Sequence, residues 1–172
     1  MTMTQENKND PVERLVAAYE TMLERVNKVT DRARPVLTDA IEHARETAVE
    51  LGELTREEAD KIATYVERDM KDAADFIVET GQDFRDWFKF DVQLIEDRLY
   101  EMFASVADQT SLELRNLAER AKRASRLHTG EVTGPGTLVC TACGGELHFK
   151  QAGHIPPCPK CQATEFKRAE RK

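Results

Sequence analysis

Apolar residues in the first half of the chain recur at helical intervals. Leu15, Met22, Val29 and Val36 lie seven apart, and Tyr19, Val26, Ala33 and Ala40 follow four places later in each heptad. The result is an amphipathic stripe with coiled-coil spacing. Asp10-Pro11-Val12-Glu13 predicts where it begins, with Asp as N-cap, Pro at the first helical position and Glu three residues after the cap. The stripe stays in phase across Pro35, which lacks a backbone N–H and costs about 3 kcal/mol inside a helix. Either one long helix kinks there or two helices meet near Arg34. The pattern continues through Leu37, Ile41, Ala44 and Ala48 to Leu51, and Gly52 suits a C-cap.

Thr55-Arg56-Glu57-Glu58 is a capping box, and Ile62, Tyr65, Val66, Met70, Ala73, Phe76 and Ile77 continue with the 3.6-residue period until Gly81. The most apolar stretch, Phe84 to about Ala107, carries Trp87, Phe88, Phe90, Leu94, Leu99 and Phe103, and is expected to be the central packing helix. Trp87, Phe88 and Phe90 can alternatively form a hydrophobic dock. Thr110-Ser111-Leu112-Glu113 opens a last helix that is predicted to reach about Leu127. From His128 to Gly136 the periodicity stops and Gly, Pro and Thr crowd together. Beyond it, Thr137-Leu138-Val139, Glu146 to Lys150 and Thr164 to Lys167 read as short strands.

Those strands frame the chemistry. Cys140-Thr141-Ala142-Cys143 and Cys158-Pro159-Lys160-Cys161 are separated by fourteen residues and use all four cysteines of the chain. Two intervening residues let a chain reverse so that both sulfurs of a pair point inward, and two such knuckles close a tetrahedral, all-thiolate site with Zn–S bonds of about 2.3 Å. Gly144 and Gly145 allow a tight turn after the first knuckle and can present N–H groups to the sulfurs. One structural Zn2+ held by Cys140, Cys143, Cys158 and Cys161 is the expectation. Iron is the competing metal, because Pro156 to Cys161 resembles the second knuckle of rubredoxins and thiolates alone do not choose between the two. His148 and His154 read as a strand residue and a loop residue, not as ligands.

Composition narrows the class. The chain has 172 residues, 40% of them apolar and 33% charged, and no apolar run long enough to span a membrane. Residues 1–10 read as a disordered polar tail without a targeting pattern, so a cytoplasmic location is expected. The net charge of −7 hides a split. From Arg120 onward there are ten Lys/Arg against four Asp/Glu, a balance of +6, which leaves −13 for residues 1–119. Lys122, Arg123, Arg126, Lys150, Lys160, Lys167 and Arg168 can therefore attract nucleic acid. No phosphate loop, nucleophile elbow or His-Glu-x-x-His helix occurs. The Glu-x-x-His pairs of a rubrerythrin-like di-iron site are missing as well, since Ala40 and Ser125 stand three places before His43 and His128.

As a whole the chain resembles an uncharacterised bacterial family of small zinc-ribbon-containing proteins. The resemblance rests on Glu53 to Glu58, Tyr65 to Asp69, Trp87, His128-Thr129-Gly130-Glu131, Gly136 to Cys140 and His154 to Cys161, and covers roughly residues 10 to 168. It implies a cytoplasmic zinc-binding protein with the four cysteines as ligands. A weaker similarity is to DksA-type regulators of RNA polymerase, through Asp72-Ala73-Ala74-Asp75, which here falls in mid-helix instead of at a hairpin tip. The expected architecture is mainly α, an elongated helical bundle or coiled coil over residues 11–127, a linker at 128–136, and a rubredoxin-like β zinc ribbon over 137–172. The expected function is that of a non-enzymatic interaction protein whose ribbon is a structural or docking module for a macromolecular partner. Nucleic-acid binding through the basic C-terminal third and rubredoxin-like electron transfer are the alternatives. The heptad stripe can close within one chain or between two, as a homo-oligomer.

Overall fold

The computed structural model describes residues 10–33, 37–80 and 126–169. Three helices come first, α1 (Pro11–Ala33), α2 (Leu37–Glu50) and α3 (Arg56–Thr80). Their ends follow the capping signals. Asp10 Oδ1 accepts from Val12 N at 2.9 Å. Gly52 takes φ +69° and lets Glu53 N bond back to Ala48 O at 3.0 Å, which closes α2. Thr55 and Glu58 cap α3 reciprocally, with Thr55 N to Glu58 Oε2 at 2.9 Å and Glu58 N to Thr55 Oγ1 at 3.2 Å.

Among the described residues, the elongated bundle or coiled coil expected from the heptads is not what forms: three helices are followed by an antiparallel sheet. Tyr19, Met22 and Val26 of α1, Leu37, Ala40, Ile41, Ala44 and Ala48 of α2, and Ala59, Ile62, Val66, Met70 and Ala73 of α3 share one buried cluster. That cluster also takes in Val132 and Ala152 from the C-terminal part. The stripe is consumed by packing of the three helices on one another and on the ribbon. Over the few turns available, a seven-residue repeat and an ordinary 3.6-residue apolar face have the same spacing, so the pattern alone did not require a supercoil. The expected junction at 34–36, the aromatic helix at 84–107, its Trp87/Phe88/Phe90 dock and most of the helix after Thr110 lie outside the described residues. Where that last helix was to end, Leu127 belongs to a strand instead.

The C-terminal part has six short strands, β1 (Leu127–His128), β2 (Val132–Thr133), β3 (Gly136–Cys140), β4 (Glu146–Phe149), β5 (Gly153–His154) and β6 (Glu165–Arg168). An antiparallel sheet runs in the order β1-β6-β3-β4, and β2 pairs with β5 in a separate two-stranded ribbon. Registers place Cys140 opposite Phe166, Leu138 opposite both Arg168 and Leu147, and Thr137 opposite His148. A second small core holds Leu127, Leu138, Cys140, Ile155, Cys158 and Phe166. The segment 128–136, taken from its composition as a connection, is ordered: it supplies part of β1, all of β2 and the start of β3, and Val132 through Gly136 are buried. It lies between the sheet and α3, where Val132 joins the helical core.

Candidate metal centre

The two cysteine pairs build matching turns. In the first, Gly144 N donates to Cys140 O at 2.9 Å and Cys140 N donates to Gly145 O at 2.8 Å. In the second, Gln162 N donates to Cys158 O at 2.8 Å and Cys158 N donates to Ala163 O at 2.9 Å. The residue after each second cysteine takes a left-handed conformation, Gly144 at φ +72° and Gln162 at φ +63°. Only the first of these is a glycine, so the second knuckle holds a side chain in a region that L-residues disfavour.

The turns bring all four sulfurs together. Every Sγ of Cys140, Cys143, Cys158 and Cys161 lies within 4.8 Å of the others, and the cross-knuckle pairs Cys140/Cys161 and Cys143/Cys158 are each 3.6 Å apart. A tetrahedron with metal–sulfur bonds of about 2.3 Å has edges of about 3.8 Å, so the donor set fits a tetrahedral thiophilic ion. Cys140 and Cys158 are buried, while Cys143 and Cys161 reach the surface. Gly145 closes one side: a Cβ there would come within 3.3 Å of Cys143 Sγ and 3.6 Å of Cys158 Sγ.

The thiols are electrostatically unequal. Loss of water works against ionisation of Cys158, but the N–H groups of Cys161 and Lys160 together with the Cys143 thiol bring it down to about 7. Cys161 receives an N–H from Ala163, yet the neighbouring Cys143 sulfur and burial push it up to about 12. Four adjacent sulfurs do not all ionise unaided, and a cation among them removes that conflict.

His148 Nδ1 pairs with Thr137 Oγ1 at 3.0 Å across β3 and β4, and His154 sits in β5. Neither is in the four-sulfur group. Of the basic residues singled out in the sequence, Lys122 and Arg123 lie outside the described residues. Arg126 pairs with Glu165 at 2.5 Å. Lys150 and Lys160 are exposed. Arg168 points inward: its side chain is 13% exposed, and it bonds Asp69 at 3.0 Å, Asp72 at 3.3 Å and Thr133 Oγ1 at 2.9 Å.

Arg168 thereby enters a polar cluster that residue-by-residue reading of the sequence missed. Asp69 on α3 is fully buried. It accepts from Tyr19 O–H at 2.5 Å, Gly134 N at 2.8 Å, Thr133 Oγ1 at 3.3 Å and Arg68 Nε at 3.1 Å. Arg68 is 2% exposed and reaches Glu131 Oε2 at 2.5 Å and Val132 O at 2.8 Å. Burial by itself would raise the Asp69 carboxyl, but Arg68, Arg168, the Tyr19 hydroxyl and Gly134 N–H outweigh it and hold the group below the ordinary carboxylate range. Asp72 is pushed up by burial, against the pull of Arg168 and with a further push from Asp69, to about 6. Asp72 and Asp75, the residues behind the DksA-type similarity, stand inside the C-terminal part of α3, with Asp72 bonded to Arg168 and Asp75 to Lys71.

Comparison with known proteins agrees with the centre. A family model described as a zinc-ribbon containing domain matches residues 24–170. The "Uncharacterized protein YbeL" of Escherichia coli strain K12 is 33% identical over 128 residues, covering 74% of this chain and 79% of that protein. Proteins of the same description from the Escherichia coli O6:H1 strain CFT073 and from O157:H7 match to the same extent. No solved structure matches the chain significantly. Among the described residues, no helix is long and apolar enough to cross a membrane.

Proposed function

We propose that this chain, which belongs to the family of zinc-ribbon containing domains, is a non-catalytic zinc-binding interaction protein. In this reading Cys140, Cys143, Cys158 and Cys161 hold one Zn2+, and the ribbon is a structural and docking module for a macromolecular partner in a reducing, cytoplasmic setting. The observation that carries it is the convergence of four sulfurs within 4.8 Å of one another from two knuckles of matching geometry.

Energetics support a structural role for the ion. The core of the four-stranded sheet has four buried apolar side chains besides two of the cysteines, with Leu147, Phe149 and Ala163 partly buried against it, too few to hold strands of two to five residues. Zinc ligation, at about 10–16 kcal/mol in small peptides, is of the size needed. The ion would screen the four thiolates from one another, and the knuckle N–H groups would stabilise the remaining charge. A binding role is favoured over catalysis because the buried carboxylate best placed to act as a base, Asp69, has its oxygens occupied by Tyr19, Gly134, Arg68 and Arg168. A protein partner is favoured over nucleic acid because Arg168 is committed to the interior and residues 1–119 carry a balance of −13.

The test is Zn2+ titration of the purified full chain, with Cys143→Ser as the variant. One equivalent bound by the wild type and loss of tight binding in Cys143→Ser support the reading. A chain purified with iron absorbs visibly and would replace zinc by an electron-transfer metal. A chain that binds neither metal refutes the centre. Retention on a duplex or single-stranded oligonucleotide that weakens steeply with salt would overturn the choice of a protein partner.

A further inference from the structure

The cluster around Asp69 joins the two parts of the molecule at a point that neither would need alone. Helix α3 contributes Arg68, Asp69 and Asp72, and α1 contributes Tyr19. Every other member comes from the ribbon: Glu131, Val132 O, Thr133 Oγ1, Gly134 N and Arg168. Arg168 is two residues beyond Phe166 on β6, and Phe166 is the register partner of Cys140. The arm that reaches Asp69 is thus held by the strand pair that carries a cysteine of the metal centre. The approach is also built in. Gly136 takes φ +145° directly under the guanidinium, and a Cβ there would overlap Arg168 Nη1.

A buried ion pair adds little stability compared with apolar residues of the same shape, but it is costly to leave half-made. Such a cluster is therefore suited to report whether its second half is present. We infer that the Asp69 cluster is a latch that couples metal loading of the four-cysteine centre to the packing of α1 and α3. The inference rests on the proposed reading that the cysteines hold Zn2+. With the ion bound, β3 and β6 are fixed and Arg168, Thr133 and Gly134 close over Asp69. When the ion leaves, the small sheet loses its fixed register, these donors withdraw, and water reaches Asp69, Arg68 and the helical core that Val132 and Ala152 had covered. The chain then changes the shape of its helical part with metal supply, and by linkage the helices tune the affinity of the centre.

Hydrogen exchange of the full chain, with Zn2+ bound and after chelation, tests this alongside Zn2+ affinity measured by competition with a chromophoric chelator. In the wild type, chelation should speed amide exchange around Tyr19 to Val26 and Ile62 to Ala73 by ~10-fold or more. Arg168→Gln, which removes the arm but no cysteine, should shrink that response and weaken Zn2+ binding by ~5-fold or more. Gly136→Ala, whose Cβ would overlap Arg168 Nη1 and push the same arm aside, should do likewise. Helical exchange in the wild type that is indifferent to chelation overturns the latch, as does wild-type Zn2+ affinity in both variants. A wild type that takes up no Zn2+ at all overturns the metal reading and this inference together, and elemental analysis separates that case from the others.

Discussion

Replacing Tyr19 by phenylalanine removes one oxygen from the middle of the molecule and nothing else. The side chain is fully buried and its hydroxyl donates to Asp69 at 2.5 Å. Asp69 keeps Gly134 N at 2.8 Å, Arg68 Nε at 3.1 Å and the Arg168 guanidinium at 3.0 Å, so the carboxylate is not orphaned. The loss is that of a single hydrogen bond to a charged acceptor, about 1.5–3 kcal/mol. For a chain of this size that corresponds to a fall in Tm of roughly 3–12 °C.

The effect should also depend on pH. Asp69 is held below the ordinary carboxylate range, so the stability it contributes is fully present above the unfolded value of about 4 and is lost as pH falls through its folded value. The gap between wild type and Tyr19→Phe should accordingly be widest at neutral pH and narrow in acid. Tyr65→Phe is the control. That ring is half-buried with the Arg68 guanidinium 5.2 Å above it, and losing its hydroxyl should change stability by no more than about 0.5 kcal/mol. Chemical denaturation of the Zn2+-loaded chains, followed by helical circular dichroism, measures both. Equal stability of Tyr19→Phe and wild type, or equal losses in the two variants, would refute the account of Asp69 as a charged acceptor fed by Tyr19.

Asp72 gives the opposite pH signature. Its carboxyl is pushed up to about 6, so the folded state holds this proton more tightly than the unfolded chain does, and stability falls as pH rises from about 4 through 6. The term is at most about 3 kcal/mol, from 1.36 kcal/mol per pH unit. Asp72→Asn should gain on the wild type between pH 5 and 7 in urea denaturation, and parallel curves for the two chains would refute it. At the second knuckle, Gln162→Gly relieves a side chain held at φ +63° and should stabilise the Zn2+ complex by about 0.5–1 kcal/mol. Gly144→Ala, at φ +72°, should lose a similar amount. Thermal melts of the two chains that shifted the same way would contradict the equivalence of the knuckles.

What could be read from the sequence was whatever is written in local chemistry. The C-x-x-C pairs announce their own turns, and Asp10-Pro11 and Thr55/Glu58 mark the starts of α1 and α3 because capping involves only neighbours. The strand β4 alternates exposed and half-buried positions over four residues, and β3 and β6, at five and four residues, are long enough to stand out as strand candidates beside the knuckles. By contrast β1, β2 and β5 are two residues each, too short for any period, and exist only through partners 20 to 39 positions away. The coiled coil was over-read because the heptads of α1 look the same whether they face another helix of equal length or a mixed core.

The Asp69 cluster left one trace. Ile62, Val66, Asp69 and Ala73 lie on a single helical row, all of them buried, so a carboxylate stands where the apolar period calls for a hydrophobe. A charge on the core stripe signals a buried partner, but the partners, Thr133 to Gly134 and Arg168, lie 64 to 99 residues away and read locally as a turn and a basic tail.

The central claim is that four sulfurs from two knuckles meet at one zinc ion. Zinc K-edge X-ray absorption on the full chain, purified under reducing conditions and assayed for metal content, tests it most directly. The account predicts one zinc per chain and a first shell of four sulfurs at about 2.3 Å. A shell that includes nitrogen or oxygen at about 2.0–2.1 Å, or a chain that retains no metal while its thiols stay reduced, would contradict it.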